Sequence, residues 1–382
     1  MHHKLWRRRI TDNVLCDWLL VFLAALGAVG WESGAGWLPA EEPPRPEPSP
    51  RFAIALHGGA GQAPDRLSRD ERAAYRTSLS AALRRGRDWL AAGKSSVEVV
   101  EHVVRLLEDD PRFNAGKGAV FNSVGSCELD ASIMDGRDLS GGAVAGVTRV
   151  KNPISLARLV MQRTRHVLLA GDGADQFAIR MGVDRVDPSY FATPRAQRRF
   201  ERIRRERERR NNDNRGGQPP DGRRSAAPDD GAFHGERYLG TVGCVALDQQ
   251  GNLAAATSTG GLSNKQYGRI GDSPILGAGT YAANATCAVS CTGIGEQFIR
   301  HAIAYSISAR MRLLGEDVQT AVRQAIHDTL QPGDGGVIAV DHRGHIAIDF
   351  STPGMARGWA DADGTWEIRL GGAAEKAKQP RD

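Results

Sequence analysis

The chain has 382 residues, 41% hydrophobic and 25% charged, with 45 Gly. This suffices for a sizeable core or two modules, and it excludes a disordered chain, a collagen and a small disulfide-stapled scaffold. Two segments carry the formal charge of +5: residues 1–30 have a net +2 and residues 197–224, with eleven Arg against five acids, a net +6, leaving −3 for the remainder.

A basic stretch from Lys4 to Arg9, an apolar run from Trp18 to Val29 and small residues at Ala28 and Gly30 give residues 1–30 the layout of an export leader. The run is short for a membrane span of about 20 residues, although Cys16 and Asp17 leave an uncleaved anchor open. A cleaved leader would make the protein periplasmic or secreted; otherwise it would be anchored in the inner membrane or cytoplasmic. Residues 31–51 hold Pro43, Pro44, Pro46, Pro48 and Pro50 and read as a tether.

Phe52 to Leu56 reads as a strand that ends in the turn His57-Gly58-Gly59-Ala60-Gly61, where glycines allow close backbone approach. His57 is given no chemical role. Ser68 with Glu71 and Ser95 with Glu98 are capping boxes opening two helices. The first stops at Gly93; the second places Val97, Val100, Val104 and Leu107 at helical spacing before Pro111, predicting an antiparallel pair. Cys127 to Met134 alternates, Asp135-Gly136 turns the chain, Ala143 to Thr148 continues the sheet, and Asn152-Pro153 starts a further helix.

Residues 197–236 read as a disordered Arg-rich linker, a length that needs a reason inside a compact domain. In its Arg-rich run, residues 200–210, Arg and Glu interleave with no aromatic beyond Phe200, which suits a solvated helix better than a stacking groove. A basic nucleic-acid binder is therefore only the rival class, and no nucleic-acid partner is expected.

Val242 to Leu247 and Leu253 to Ser258 form a buried hairpin around Gln249-Gln250-Gly251-Asn252. The same spacing recurs in Val337 to Val340 and His345 to Phe350 around His342-Arg343-Gly344. Glu296 to Leu314 and Glu316 to Leu330 read as a second helix pair between the hairpins. Strands and a helix pair in each half suggest an α/β fold of two stacked sheets with helices outside. Cys127, Cys244, Cys287 and Cys291 read as buried thiols. Cys287 and Cys291 lack the second ligand pair of a zinc site, and Gly171-Asp172-Gly173 lacks a full dinucleotide fingerprint.

Chemistry-bearing residues concentrate after the linker in four turns: Gly240-Thr241-Val242-Gly243, Thr257-Ser258-Thr259-Gly260-Gly261, Gly268-Arg269-Ile270-Gly271-Asp272-Ser273-Pro274 and Ser290-Cys291-Thr292-Gly293-Ile294-Gly295-Glu296. Hydroxyls and backbone N–H groups at strand ends suit a small substrate. These motifs closely resemble the isoaspartyl peptidase and plant-type asparaginase family of N-terminal-nucleophile hydrolases, over residues 52–182 and 240–359. The resemblance implies a four-layer αββα sandwich that cuts itself between Gly240 and Thr241, giving an alpha subunit of residues 52–240 and a beta subunit of residues 241–382.

Within that resemblance, Thr241 matches the nucleophile, Thr259 the hydroxyl that orients or activates it, and Thr292 with the Gly293 N–H the oxyanion hole. Arg269 matches the substrate α-carboxylate fork, Asp272 and the Gly295 carbonyl the α-ammonium contacts, and Asn114 a polar residue near the nucleophile. The loop positions Leu107, Glu108, Asp110, Phe113, Ala115 and Lys117 match carbonyls that wrap an alkali cation, a structural sodium ion; no catalytic cofactor is implied. The chemistry is coherent in itself: a chain-terminal Thr carries its own base, an α-amine with a pKa near 8. The linker then supplies slack upstream of the scissile bond. The implied substrates are β-aspartyl dipeptides and L-asparagine, with glycosylasparaginase as the alternative, and the implied assembly is a dimer of alpha-beta heterodimers.

Overall fold

The computed structural model describes residues 51–61, 64–215 and 240–372. The leader and most of the tether, in residues 1–50, and the linker from residue 216 to 239 lie outside these. Among the described residues, no helix is long and apolar enough to cross a membrane.

An interior strand, β1 (Ala53–Ala60), is buried along its whole length and pairs antiparallel on both sides. It belongs to an eight-stranded sheet whose remaining members are β2 (Leu129–Asp135), β3 (Gly141–Val147), β4 (Leu168–Ala170), β5 (Val242–Leu247), β6 (Leu253–Thr259), β11 (Met355–Asp361) and β12 (Trp366–Arg369). Their order is β12-β11-β1-β5-β6-β2-β3-β4, with only β3 and β4 parallel. A second, antiparallel sheet has the order β10-β9-β8-β7, made of β7 (Thr280–Ala282), β8 (Cys287–Gly293), β9 (Gly335–Asp341) and β10 (Ile346–Phe350). Both expected hairpins form, β5 with β6 and β9 with β10.

Period-two alternation sorts the strand residues among three cores. Ile54, Leu56, Cys244 and Ala256 join residues of α1 (Arg69–Ala91), α2 (Ser96–Glu108) and α3 (Pro153–Arg163). Their neighbours Ala53, Ala55, Val245 and Ala255 join Ala288, Ile338 and Val340 of the second sheet. On the latter sheet, Cys287, Val289, Val337 and Ala339 join Ile303 and Ile307 of α7 (Ile303–Leu314) and Val318 and Val322 of α8 (Val318–Gln324). All four cysteines in the described residues are free and buried.

Both capping boxes are present: Ser68 and Ser95 accept from the Glu71 and Glu98 N–H groups, and each glutamate reaches back to its cap residue. Such a cap contributes about 1 kcal/mol. Asn152 does begin α3, but its amide donates to Asp109, and Glu108 Oε1 instead accepts from the Ile154 N–H at 3.0 Å.

Two expectations change. The linker expected to be disordered from about residue 197 begins inside a helix: α4 (Gly171–Met181) is followed by α5 (Pro194–Arg215). Pro194 suits a first helical position, Arg and Glu are good helix formers, Arg204 pairs with Glu208 at 3.2 Å, and Phe200 meets Phe121 edge-on. The helix expected over Glu296 to Leu314 is two helices, α6 (Gly295–Arg300) and α7, separated at Ala302 with φ +45°. Tertiary hydrogen bonds accompany the break: the Ala304 and Tyr305 N–H groups donate to the carbonyls of Ala278 and Gly277.

Candidate active site

Thr241 lies immediately before β5, and its side chain is buried between strand ends. Its Oγ1 donates to Thr259 Oγ1 at 3.2 Å and lies 3.5 Å from Ser273 Oγ. Thr259, the last residue of β6, accepts from the Gly261 N–H at 3.0 Å through the same Oγ1, so the turn after the strand orients the hydroxyl that faces Thr241. On the other side, a Cβ placed at Gly240 would stand 3.8 Å from Thr292 Oγ1. Thr292 Oγ1 accepts from the Ala60 N–H at 3.3 Å, which leaves its own proton to donate elsewhere. A side chain at Gly293 would come within 2.1 Å of the Asp334 carbonyl oxygen, so only glycine fits beside Thr292.

A second cluster surrounds Gly295. A Cβ there would lie 2.9 Å from both Arg269 Nη2 and Asp272 Oδ1, so a cation and a carboxyl converge where no side chain stands. Arg269 donates through Nε and Nη2 to the two carboxylate oxygens of Glu296, both at 2.8 Å. Burial pushes the Glu296 carboxyl up, but the Arg269 fork outweighs it and holds it below its usual value. Asp272 is buried and its Oδ2 has no hydrogen-bond partner. Burial raises its pKa to about 7 against the pull of Arg269. An unpaired buried carboxyl is costly unless something charged is meant to meet it.

Asn114 stands one layer back. Its amide donates to the Gly261 carbonyl at 2.7 Å and its Oδ1 accepts from Val120 N–H, so its polar atoms hold the turn that orients Thr259. Lys265, also buried, donates to the Glu128 carbonyl and sits 3.9 Å from Asp130 Oδ2.

The loop from Leu107 to Lys117 closes on its glycines. A Cβ at Gly116 would fall 2.4 Å from the Glu108 carbonyl oxygen, and one at Gly118 would fall 1.9 Å from that of Phe113. Lys117 directs its ammonium over the Tyr190 ring at 5.1 Å. No cluster of three or more His, Cys, Asp or Glu side chains suited to a metal occurs among the described residues.

Glu108 itself is fully buried, with Oε1 accepting from Ser258 Oγ at 2.6 Å, and burial raises its pKa to about 8. A carboxyl raised above its unfolded value stabilises the fold fully below about pH 4.5 and loses that contribution as pH rises toward 8. Urea unfolding should therefore show stability falling from pH 5 to pH 8, with a smaller fall in Glu108→Gln. An identical pH dependence in the two proteins would refute the assignment.

Sequence reading missed His57 and Glu296 as parts of this site. His57 Nδ1 lies 3.1 Å from the Thr241 carbonyl oxygen, and Nε2 lies 2.9 Å from Ser290 Oγ. Nothing local marks that role; the nearest signal is the glycine turn that follows. Glu296 stood within the quoted motif, with a charge opposite to that of Arg269 in a neighbouring turn. A cavity of about 700 Å³, lined by His327, Phe350, Arg357 and Trp359 among others, contains none of these groups. The converging hydroxyls locate the candidate site, not the size of the hollow.

Comparison with known proteins identifies the family. The family described as Asparaginase matches residues 50–370. The chain is 46% identical over 318 residues to the isoaspartyl peptidase of Escherichia coli strain K12, covering 82% of this chain and 94% of the relative. It is 47% identical to that of Salmonella typhimurium over 82% of this chain and 97% of the relative. With the isoaspartyl peptidase/L-asparaginase of Homo sapiens it shares 41% identity over 81% of this chain and 92% of the relative. With matches of this extent, the chain belongs to the asparaginase family.

Proposed function

We propose that the protein is a self-processing threonine hydrolase that cleaves isoaspartyl (β-aspartyl) dipeptides and, less selectively, L-asparagine, releasing L-aspartate. The observation that carries this reading is the pairing of Thr241 Oγ1 with Thr259 beside a Gly240 that faces Thr292, next to Arg269 and Asp272 converging on Gly295. The names of the three relatives support isoaspartyl substrates over glycosylated asparagine.

In maturation, Thr241 Oγ1 attacks the Gly240 carbonyl carbon, the Gly240–Thr241 C–N bond breaks, and water hydrolyses the resulting ester. The α-amine of Thr241 is thereby freed to act as base. In turnover, that amine takes the hydroxyl proton and Oγ1 attacks the β-carbonyl carbon of the substrate. The developing oxyanion faces the Thr292 O–H and the Gly293 N–H, each such donor contributing about 2.7–4 kcal/mol to the transition state. The leaving amine, or ammonia from asparagine, departs with a proton. Water then hydrolyses the β-aspartyl ester, giving L-aspartate and free Thr241.

Arg269 would hold the α-carboxylate. Glu296 occupies its Nε–Nη2 edge, leaving the Nη1 edge to the substrate, and the unpaired Asp272 would meet the α-ammonium together with the Gly295 carbonyl. The three cores support a four-layer αββα arrangement. Export rests on the pattern of residues 1–30, and a dimer of cleaved pairs on the resemblance.

Denaturing electrophoresis with N-terminal sequencing tests maturation directly. A fragment beginning at Thr241 is expected, together with hydrolysis of β-Asp-Leu; a folded sample that never yields that fragment refutes the mechanism. The loop from Leu107 to Lys117 would hold a sodium ion through its carbonyls, with a structural role. A site filled at about 100 times its Kd adds about 2.7 kcal/mol, so Tm should be higher in sodium chloride than in tetramethylammonium chloride of equal ionic strength. Equal Tm values would remove the ion from this loop.

A further inference from the structure

We propose that His57, Ser290, Thr257, Thr280 and Ser132 form a positioning network between the two sheets that holds Thr241 in attack geometry. This rests on Thr241 being the nucleophile. The pairing registers build it. His57 lies opposite Gly243, Gly243 opposite Thr257, and Thr257 opposite Ser132, one row across β1, β5, β6 and β2. Two residues earlier along β1, Ala55 and its partner Val245 belong to the core shared by the sheets, so alternation turns the His57 row toward the second sheet as well. There Thr280 and Ser290 are themselves opposite one another on β7 and β8.

Close polar contacts link these residues, with the Thr241 carbonyl at one end and the Ser273 carbonyl at the other. A carbonyl oxygen only accepts, so His57 Nδ1 carries the proton that meets the Thr241 carbonyl. Burial lowers the His57 pKa to about 3, leaving the ring neutral, and Nε2 must then accept from Ser290 Oγ at 2.9 Å. Ser290 Oγ lies 2.7 Å from Thr257 Oγ1, which accepts from Thr280 Oγ1 at 2.6 Å. Ser132 Oγ lies 2.8 Å from Thr280 Oγ1 and 2.5 Å from the Ser273 carbonyl, and because the Thr280 proton goes to Thr257, the single Ser132 proton serves one of these two contacts. The hydroxyl of that same Ser273 is the one 3.5 Å from Thr241 Oγ1. One end of the chain thus holds the Thr241 carbonyl and the other holds a neighbour of its nucleophilic oxygen.

Thr241 needs such a hold. The described pairs of β5 begin at Val242 and Gly243, so its carbonyl lies beyond the ladder, and self-cleavage would remove its upstream neighbour. Gly243 makes the contact sterically possible. A Cβ at that position would lie 2.0 Å from Ser290 Oγ and 2.4 Å from His57 Nε2, between the two groups that must bond.

Gly243→Ala and Ser290→Ala test this from two directions, one wedging the contact apart and the other removing a partner. With β-Asp-Leu, each should lower kcat about 10- to 100-fold and leave KM within about twofold, the signature of lost orientation rather than lost binding. Self-cleavage should slow in parallel. His57→Asn, which keeps an N–H near the Nδ1 position, should recover most of the kcat lost in His57→Ala. Unchanged kcat in both Gly243→Ala and Ser290→Ala, a raised KM with unchanged kcat, or His57→Asn no better than His57→Ala would each overturn the network. Turnover by Thr241→Ala would instead overturn the nucleophile on which it rests.

Discussion

Thr241→Ala should yield a single uncleaved chain that hydrolyses neither β-Asp-Leu nor L-asparagine. Removing a nucleophile from a hydrolytic site typically costs on the order of 10⁶ in kcat, and here it also removes the group that would create the chain end. The substitution is mild for the fold. The Thr241 hydroxyl contributes contacts to Thr259 and Ser273 only, and its carbonyl contact with His57 is retained by any residue. A melting curve close to that of the parent precursor, with one band on a denaturing gel, is the expected pair of results. Thr241→Ser keeps a hydroxyl and a terminal amine and should regain some cleavage. Turnover by the alanine variant above background would show that another group attacks.

Arg269→Ala should mature normally and lose about 10³-fold in kcat/KM, more than one charged hydrogen bond at about 1.5–3 kcal/mol would account for alone. Two losses combine. The α-carboxylate loses its fork, and Asp272 loses the cation that opposes its burial, so its carboxyl rises further and meets the substrate α-ammonium in its neutral form. Glu296, left without Arg269, no longer has the partner that holds its own carboxyl down. Arg269→Lys separates the two effects: it keeps a positive charge near Asp272 but cannot offer the planar fork, and should fall between the parent and the alanine variant. Steady-state kinetics decide it, and unchanged values in Arg269→Ala would move the α-carboxylate subsite elsewhere.

Much of this protein follows from physics that acts within a few residues, and that part is legible in the sequence. The capping boxes at Ser68 and Ser95 need only a serine and a glutamate three residues on. The hairpins at Gln249 and His342 need two apolar runs and a turn, and the Thr- and Gly-rich motifs carry their own chemistry. Helix α5 shows where this begins to fail: its polar composition is equally that of a linker, and the contact between Phe200 and Phe121 lies outside any local window. The break at Ala302 likewise accompanies the carbonyls of Gly277 and Ala278, distant in the chain.

The row beneath the site was decided by tertiary structure alone. His57 meets Thr241 across 184 positions and Ser290 across 233. A threonine or serine within a strand is an ordinary β residue until register sets it opposite a second sheet, because alternation states which face it takes but not what that face will meet. The sequence by itself determined the capping boxes, the two hairpins and where the Thr- and Gly-rich motifs lie. The stacking of the sheets decided which of those residues touch, because hydrogen bonds between strands hundreds of residues apart leave no periodic trace along the chain.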